Sequence, residues 1–215
     1  MTPPFALAEK MPGLAALKDA MSGLYVVVPT DPETGASMME VLGRKDGKPE
    51  GEVVVAFLDA GDAARTATKA GLGDKAEGRL INAAELIELT GGQIIWRTST
   101  ENSALVGGDE TRPPVFYITG PDGDPMTQPV EGKEKIVVYV DAVAADAARV
   151  AAQNRLSAAG HPIDLSVIAA DMIGMVEGIG AGEAKDVYIA SSPTVIIWAA
   201  QWEQGKRLIK DYSAK

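Results

Sequence analysis

Few side chains in this protein are of the types that make or break bonds. The chain of 215 residues has no cysteine and a single histidine, His161, so disulfides, thiolate metal sites, iron–sulfur clusters and cysteine nucleophiles are excluded together. His161 lies between Gly160 and Pro162 with no paired serine near it in sequence, and a surface or capping residue at the start of a strand is favoured over a general base. The run Gly178-Ile179-Gly180-Ala181-Gly182 invites comparison with a phosphate-cradling loop. Such a loop needs its glycines between a strand and the first turn of a helix, and Glu177 and Glu183 would repel phosphate, so these glycines are expected to stop a helix. Asp122 and Asp124 have the spacing of the opening ligands of a calcium loop, but the remaining ligands and the terminal glutamate are missing, so a hairpin turn is expected. Carboxylates are plentiful, yet none stands in apolar sequence in a way that would raise its pKa, and residues 131–135 read as a solvated mixed-charge turn. Neither a cofactor nor a metal is implied, and the chain does not read as an enzyme.

The aromatic residues offer the better functional lead. Trp96, Trp198 and Trp202 are all the tryptophans, and the first two close similar triplets, Ile94-Ile95-Trp96 and Ile196-Ile197-Trp198. Packing where two halves of the chain meet is the favoured reading of that pair. The functional reading makes Trp96, Tyr117, Trp198 and Trp202 partner-binding residues of an apolar groove for an extended polypeptide, because tryptophan and tyrosine carry much of the energy of such contacts. Trp202, in the polar and basic segment 201–210, is the one expected to be exposed. With 46% hydrophobic and 23% charged residues the composition is that of a globular protein, and a formal net charge of -10 repels phosphate backbones and anionic headgroups. Nucleic acid and membrane surfaces are therefore not expected as partners. The apolar runs 53–58 and 136–140 are far shorter than the roughly 20 residues of a spanning helix.

The elements that would position these residues follow from periodicity and punctuation. Leu7, Met11, Leu14, Leu17 and Met21 form one helical stripe, which predicts an amphipathic N-terminal helix within 1–22, interrupted near Pro12 and Gly13. Residues 24–30 predict a buried strand leading into the turn Asp31-Pro32-Glu33-Thr34-Gly35, then a strand over 37–42 and a polar turn over 44–50. The valine-rich run 53–58 predicts a strand covered on both faces. Asp59 is placed to cap a helix that ends near Ala70 with Gly71 as its left-handed stop. Asn82 and Glu85 open a short helix over 83–89 that Gly91-Gly92 ends, and residues 93–97 read as a strand.

The second half repeats that order. Residues 115–118 correspond to 24–27 as opening strand, again followed by a Gly/Pro/Asp turn over 120–125. Residues 137–141 correspond to 54–59, and Asp141 starts a longer helix that Gly160 stops. Ala169-Ala170-Asp171-Met172-Ile173 mirrors Ala83-Ala84-Glu85-Leu86-Ile87, and residues 109–114 connect the halves. The expected architecture is α+β: two tandem pseudo-symmetric β-β-β-α-β-α-β repeats in one domain, with 1–22 as N-terminal helix, 23–110 as the first half and 111–215 as the second. Two helices per half are too few to cover both faces of a sheet, so the halves must bury the remainder on each other. A few hundred Å² of apolar surface at that join contributes on the order of 10 kcal/mol before entropy.

The run from Pro114 through Asp141, an apolar opening strand, the turn Gly120-Pro121-Asp122-Gly123-Asp124-Pro125 and a second strand ending in Asp141, resembles the repeat of the Tic22-like family. Its continuation, an alanine-rich helix, a short strand and a second helix opened by Ser166, fits the same repeat. That family comprises a component of the chloroplast protein-import translocon and its cyanobacterial relatives. The resemblance covers residue 24 to the C-terminus, although Gly23-Leu24-Tyr25-Val26 replaces the Pro-Val-Phe opening in the first half. The strand–Asp–helix–helix–strand run from Val53 to Trp96 is also similar in part to the bacterial SseB-like proteins.

The Tic22-like resemblance implies a soluble, non-enzymatic, chaperone-like polypeptide-binding protein of protein translocation or outer-membrane biogenesis. It would work in a periplasmic or intermembrane space. The stretch Ala6-Leu7-Ala8 before Glu9 has the small-x-small form of a signal-peptidase site and reads equally as the edge of a mature exported chain or as a cytosolic N-terminus. Two rival readings are a structural or assembly subunit of a larger protein complex and a hydrolase with a carboxylate pair in one deep pocket.

Overall fold

The computed structural model describes residues 23–46, 48–72, 75–91, 93–181, 187–190 and 209–211. The helix expected within 1–22 lies outside the described residues, as do Trp198 and Trp202.

Alternation along the strands builds the interior. In β1 (Tyr25–Thr30) and β3 (Lys48–Phe57), successive side chains point to opposite faces. Val26, Val28 and Ala56 enter one apolar cluster, while Val27, Val53, Val55 and Phe57 enter another. The strand predicted over 53–58 is thus covered on both faces. β2 (Met39–Lys45) pairs with β3 as far as Lys45↔Lys48, which leaves a two-residue turn in which Asp46 has φ 52°. The polar turn expected over 44–50 is mostly strand, because the ladder carries both strands as far as Lys45 and Lys48. The second half makes the same correction. β7 (Thr127–Val130) and β8 (Lys133–Tyr139) close at Val130↔Lys133, with φ 51° at Glu131 and 77° at Gly132.

The first sheet is completed by β4 (Glu77–Asn82), β5 (Ile94–Arg97) and β11 (Ile209–Asp211), in the order β11-β4-β1-β3-β2 with β5 on β3. The second holds β6 (Pro114–Thr119), β9 (Ser166–Asp171) and β10 (Val187–Ala190), in the order β10-β8-β6-β9 with β7 on β8. Both halves run β-β-β-α-β-α-β, and the pairings recur. β1 lies antiparallel to β3 and β4, as β6 does to β8 and β9, while β5 and β10 run parallel to β3 and β8. Single contacts recur too. The Ala83 amide donates to the Leu24 carbonyl at 2.7 Å, and the Met172 amide to that of Pro113 at 3.0 Å.

The ladders correct three expected correspondences. Val115 takes the place of Val26 rather than Leu24, and Asp171 that of Asn82. Trp96 sits opposite Ala56, and the residue so placed in the second sheet is Ile189, opposite Val138, not Trp198. Short apolar triplets look alike in sequence; the backbone ladder decides which one occupies the slot.

Among the described residues the helices are α1 (Ala60–Lys69), α2 (Ala83–Thr90), α3 (Thr100–Ser103), α4 (Ala142–Ala158) and α5 (Met172–Gly180). Ser166 begins β9; Asp171, not Ser166, opens α5. α5 ends within the glycine run, at Gly180 with Ala181 as its C-cap, so the expected helix stop lies there, with Gly174 and Gly178 inside the helix; Asp171 takes the first-turn amides of Ile173 and Gly174, each at 3.0 Å. None of these helices is long and apolar enough to cross a membrane. α1 packs Ala60 and Ala63 on the outer face of the first sheet, and α4 packs Ala148, Ala152 and Leu156 on that of the second.

The inner faces meet in one core. Leu24, Val26, Leu58, Ile94 and Trp96 of the first half pack with Val115, Val138, Val140, Met172 and Ile189 of the second, and α2 and α5 add Leu86, Met175 and Val176. The approach is close enough to dictate a glycine: a Cβ on Gly23 would stand 2.9 Å from the Ile189 carbonyl oxygen. Arg112, in the connection between the halves, binds the α5 cap through Nε–Oδ2 of Asp171 at 2.8 Å. Trp96 is 1% exposed in this core. Trp96→Ala is therefore expected to lower stability by about 3–5 kcal/mol, and Ile189→Ala by about 2–5 kcal/mol, in chemical denaturation.

Candidate functional site

Both long outer helices begin where a central strand ends. β3 runs through Leu58 to Asp59, whose carboxylate accepts the amides of Gly61 at 2.6 Å and Asp62 at 3.1 Å and so caps α1. β8 runs through Val140 to Asp141, which accepts the Val143 amide at 2.8 Å and caps α4. Aspartate suits both places because its short side chain reaches the unpaired amides of a first helical turn.

Between the two caps lies a cleft of about 90 Å³, walled by Leu58, Pro113, Pro114, Phe116, Val140 and Val143, with Asn102 and the two aspartates as its polar rim. It has room for a few waters or one apolar side chain. A larger cavity of about 310 Å³ lies on the other side of Thr98, bordered by Arg65, Lys69 and Arg97 and by Asp62, Glu101 and Glu110.

Asp62 borders the larger cavity beside Thr98, which lines both, and was not legible as special in the sequence. It is 2% exposed, and its Oδ2 accepts the Thr98 hydroxyl at 2.9 Å, the Ser99 amide at 2.8 Å and the Asn102 amide group at 3.2 Å. Arg65 pairs with its other oxygen. The carboxylate ties α1 to the β5–α3 connection. Burial, and then the nearby Asp62 charge, push the Asp59 carboxyl above the usual carboxylate range, which overturns the expectation that no carboxylate here is raised. The only signal for it in the sequence is the Asp-x-x-Asp spacing directly after an apolar strand. The chemistry both residues perform here is hydrogen-bond acceptance from protein groups.

Among the described residues, those singled out in sequence do not gather at this cleft. Trp96 is enclosed in the shared core, so its indole offers no surface to a partner in this conformation. Tyr117 is half-buried and packs against the same core. His161 is exposed on an irregular segment after α4, with β9 starting five residues later at Ser166. Asp122 and Asp124 are exposed in the β6–β7 turn, which the Gly120 amide closes on the Asp124 carbonyl at 3.1 Å.

Two mixed sheets sharing one core, each backed by a capped helix, define an α+β protein whose most enclosed groups serve its own architecture. No protein-family profile and no curated protein matches the chain. Among solved structures, Tic22 of Anabaena, a protein of protein transport, matches with a TM-score of 0.58 at 10% identity over 88% of this chain and 97% of that one. Tic22 from Plasmodium falciparum matches with a TM-score of 0.58 at 14% identity over 88% and 98%. The chain has the Tic22 fold.

Asp62→Ala strands the Thr98 hydroxyl and the Ser99 amide and is expected to cost about 2–4 kcal/mol in chemical denaturation. Asp59 titrates in the opposite sense to a salt-bridged carboxylate. Because its folded form holds the proton more tightly than the unfolded chain does, its contribution to stability falls as pH rises from the unfolded carboxylate pKa through the folded one. Asn also caps helices well, so Asp59→Asn should gain stability relative to wild type as pH rises through that window, measured as thermal midpoints from acid to neutral pH.

Proposed function

We propose that the chain is a non-enzymatic, chaperone-like protein that binds unfolded or extended polypeptide during translocation or outer-membrane biogenesis, in a periplasmic or intermembrane space. The observation that carries this reading is the match to two Tic22 structures across almost their whole length. Three features of the chain are compatible with it. The carboxylates at the junction cleft accept helix amides, the cleft walls suit an apolar side chain, and the net charge of -10 favours basic segments of a client. Tyr117, Trp198 and Trp202 remain the proposed aromatic contacts, while Trp96 belongs to the shared core.

An assembly subunit is the second reading, and α4 is the observation that favours it. Val143 and Val150, seven residues apart on one helical face, are 63% and 42% exposed. A partner subunit docked there would bury Val150, so Val150→Glu would release the partner while leaving client binding intact.

The purified protein is expected to delay aggregation of a chemically unfolded outer-membrane protein at near-equimolar ratio, followed by light scattering. Absence of both that delay and client capture in a pull-down would refute polypeptide binding. Because Trp96 is enclosed, the emission shift on adding client should survive Trp96→Phe and vanish when Trp198 and Trp202 are both replaced by Phe.

A further inference from the structure

The matched strands β4 and β9 differ in one respect. β4 carries β11 along its outer edge in parallel register, Ile209↔Gly78, Lys210↔Arg79 and Asp211↔Leu80. β9 ends its sheet: among the described residues it has β6 on one side and no strand on the other. The other edges are alike in the two sheets, since β5 and β10 are both terminal, as are β2 and β7. The positions of β9 that match Gly78, Arg79 and Leu80 are Val167, Ile168 and Ala169.

The register fixes which of its backbone groups face outward. The Met172 amide bonds the Pro113 carbonyl, so by the alternation of an antiparallel ladder Ser166, Ile168 and Ala170 bond inward to β6. The N–H and C=O groups of Val167 and Ala169 then point to the outer edge. Free edges are usually guarded by lysine, proline or a bulge. Residues 166–170 carry none of these, and the β6–β9 register is unbroken. Ile168, on the face shared with Tyr117, is 40% exposed beside this edge. The 3-10 turn Ala104–Val106 packs near β9, but the Gly108 amide that closes it bonds the Ser103 carbonyl within the same turn.

We propose that the outer edge of β9 takes up an extended segment of bound polypeptide as one more parallel strand, in the place that β11 fills on β4. The occupant is a stretch of alternating apolar and basic residues. The apolar positions pack beside Ile168, and the basic ones meet an acidic protein. The inference rests on the polypeptide-binding reading and names the surface that would carry it.

The probe is a short fluorescent peptide of alternating valine, threonine and lysine, titrated into the full chain by anisotropy. Ala169→Pro removes an outward N–H without touching the β6 ladder and should weaken the peptide by about tenfold. The fold is checked by circular dichroism and the thermal midpoint. Should that variant unfold, amide hydrogen exchange on the wild type decides the matter: Val167 and Ala169 should exchange freely alone and become protected when peptide is added. Equal affinity of wild type and Ala169→Pro, or no peptide binding by a protein that still holds unfolded client, overturns the edge assignment and leaves polypeptide binding standing. Failure to hold either peptide or unfolded client overturns the broader reading. Protection of Val167 and Ala169 before any peptide is added, or a two-chain mass that Ala169→Pro abolishes, shows the edge filled by this chain or its copy and also overturns the proposal.

Discussion

Strand faces that their own half cannot cover are the constraint on which the rest depends. Each half has one helix for the outer face of its sheet, α1 or α4, and one shorter helix, α2 or α5, that enters the middle. Among the described residues, the inner faces carry valine, isoleucine and leucine side chains that the shorter helices and the other sheet cover together. Trp96 and Ile189 occupy matched slots there with very different volumes. The second half makes up the difference with methionines of α5, whose unbranched side chains fill irregular space. Separating the halves would expose the whole of this surface, so the two sheets form one domain and not two.

The same geometry produces the cleft. A strand that ends at the rim of a shared core must turn outward to start the helix that backs its sheet, and it does so twice, at Asp59 and at Asp141. The two turns face each other across the join, with Pro113 and Pro114 of the connection between them. A polar-rimmed apolar opening follows from placing two capped helix starts side by side. Asp62 stiffens one side of it, because a buried carboxylate with three hydrogen bonds and an arginine has no lower-energy arrangement nearby.

Asp59, Asp62, Asp141 and Asp171 are engaged in caps and latches within the fold. Sheets offer backbone groups only at their edges, and among the described residues the two sheets treat matched edges differently: one is closed by the chain's own β11, the other ends at β9. That asymmetry sets apart two halves that are otherwise paired alike, and it is the geometric ground of the proposed edge pairing. The acidic surface adds a preference for what approaches it.

The local signals in the sequence were sufficient for the helix starts at Asp59, Asn82 and Asp141, for the glycine stops at Gly71, Gly91 and Gly160, and for the two-faced strand at 53–58, because capping, positive φ and strand alternation depend on residues close in the chain. They failed at the hairpins closed by Asp46 and by Glu131, where charge was read as loop although ladder pairing carried both strands to the turn. They failed also in matching Trp198 to Trp96, since residues that look alike along the chain need not share a rung. The latch from Asp62 to Thr98, Ser99 and Asn102 and the uneven edges of β4 and β9 belonged to tertiary structure alone. Each is a relation between residues dozens of positions apart, set by how two sheets pack, and no short window of sequence contains both partners.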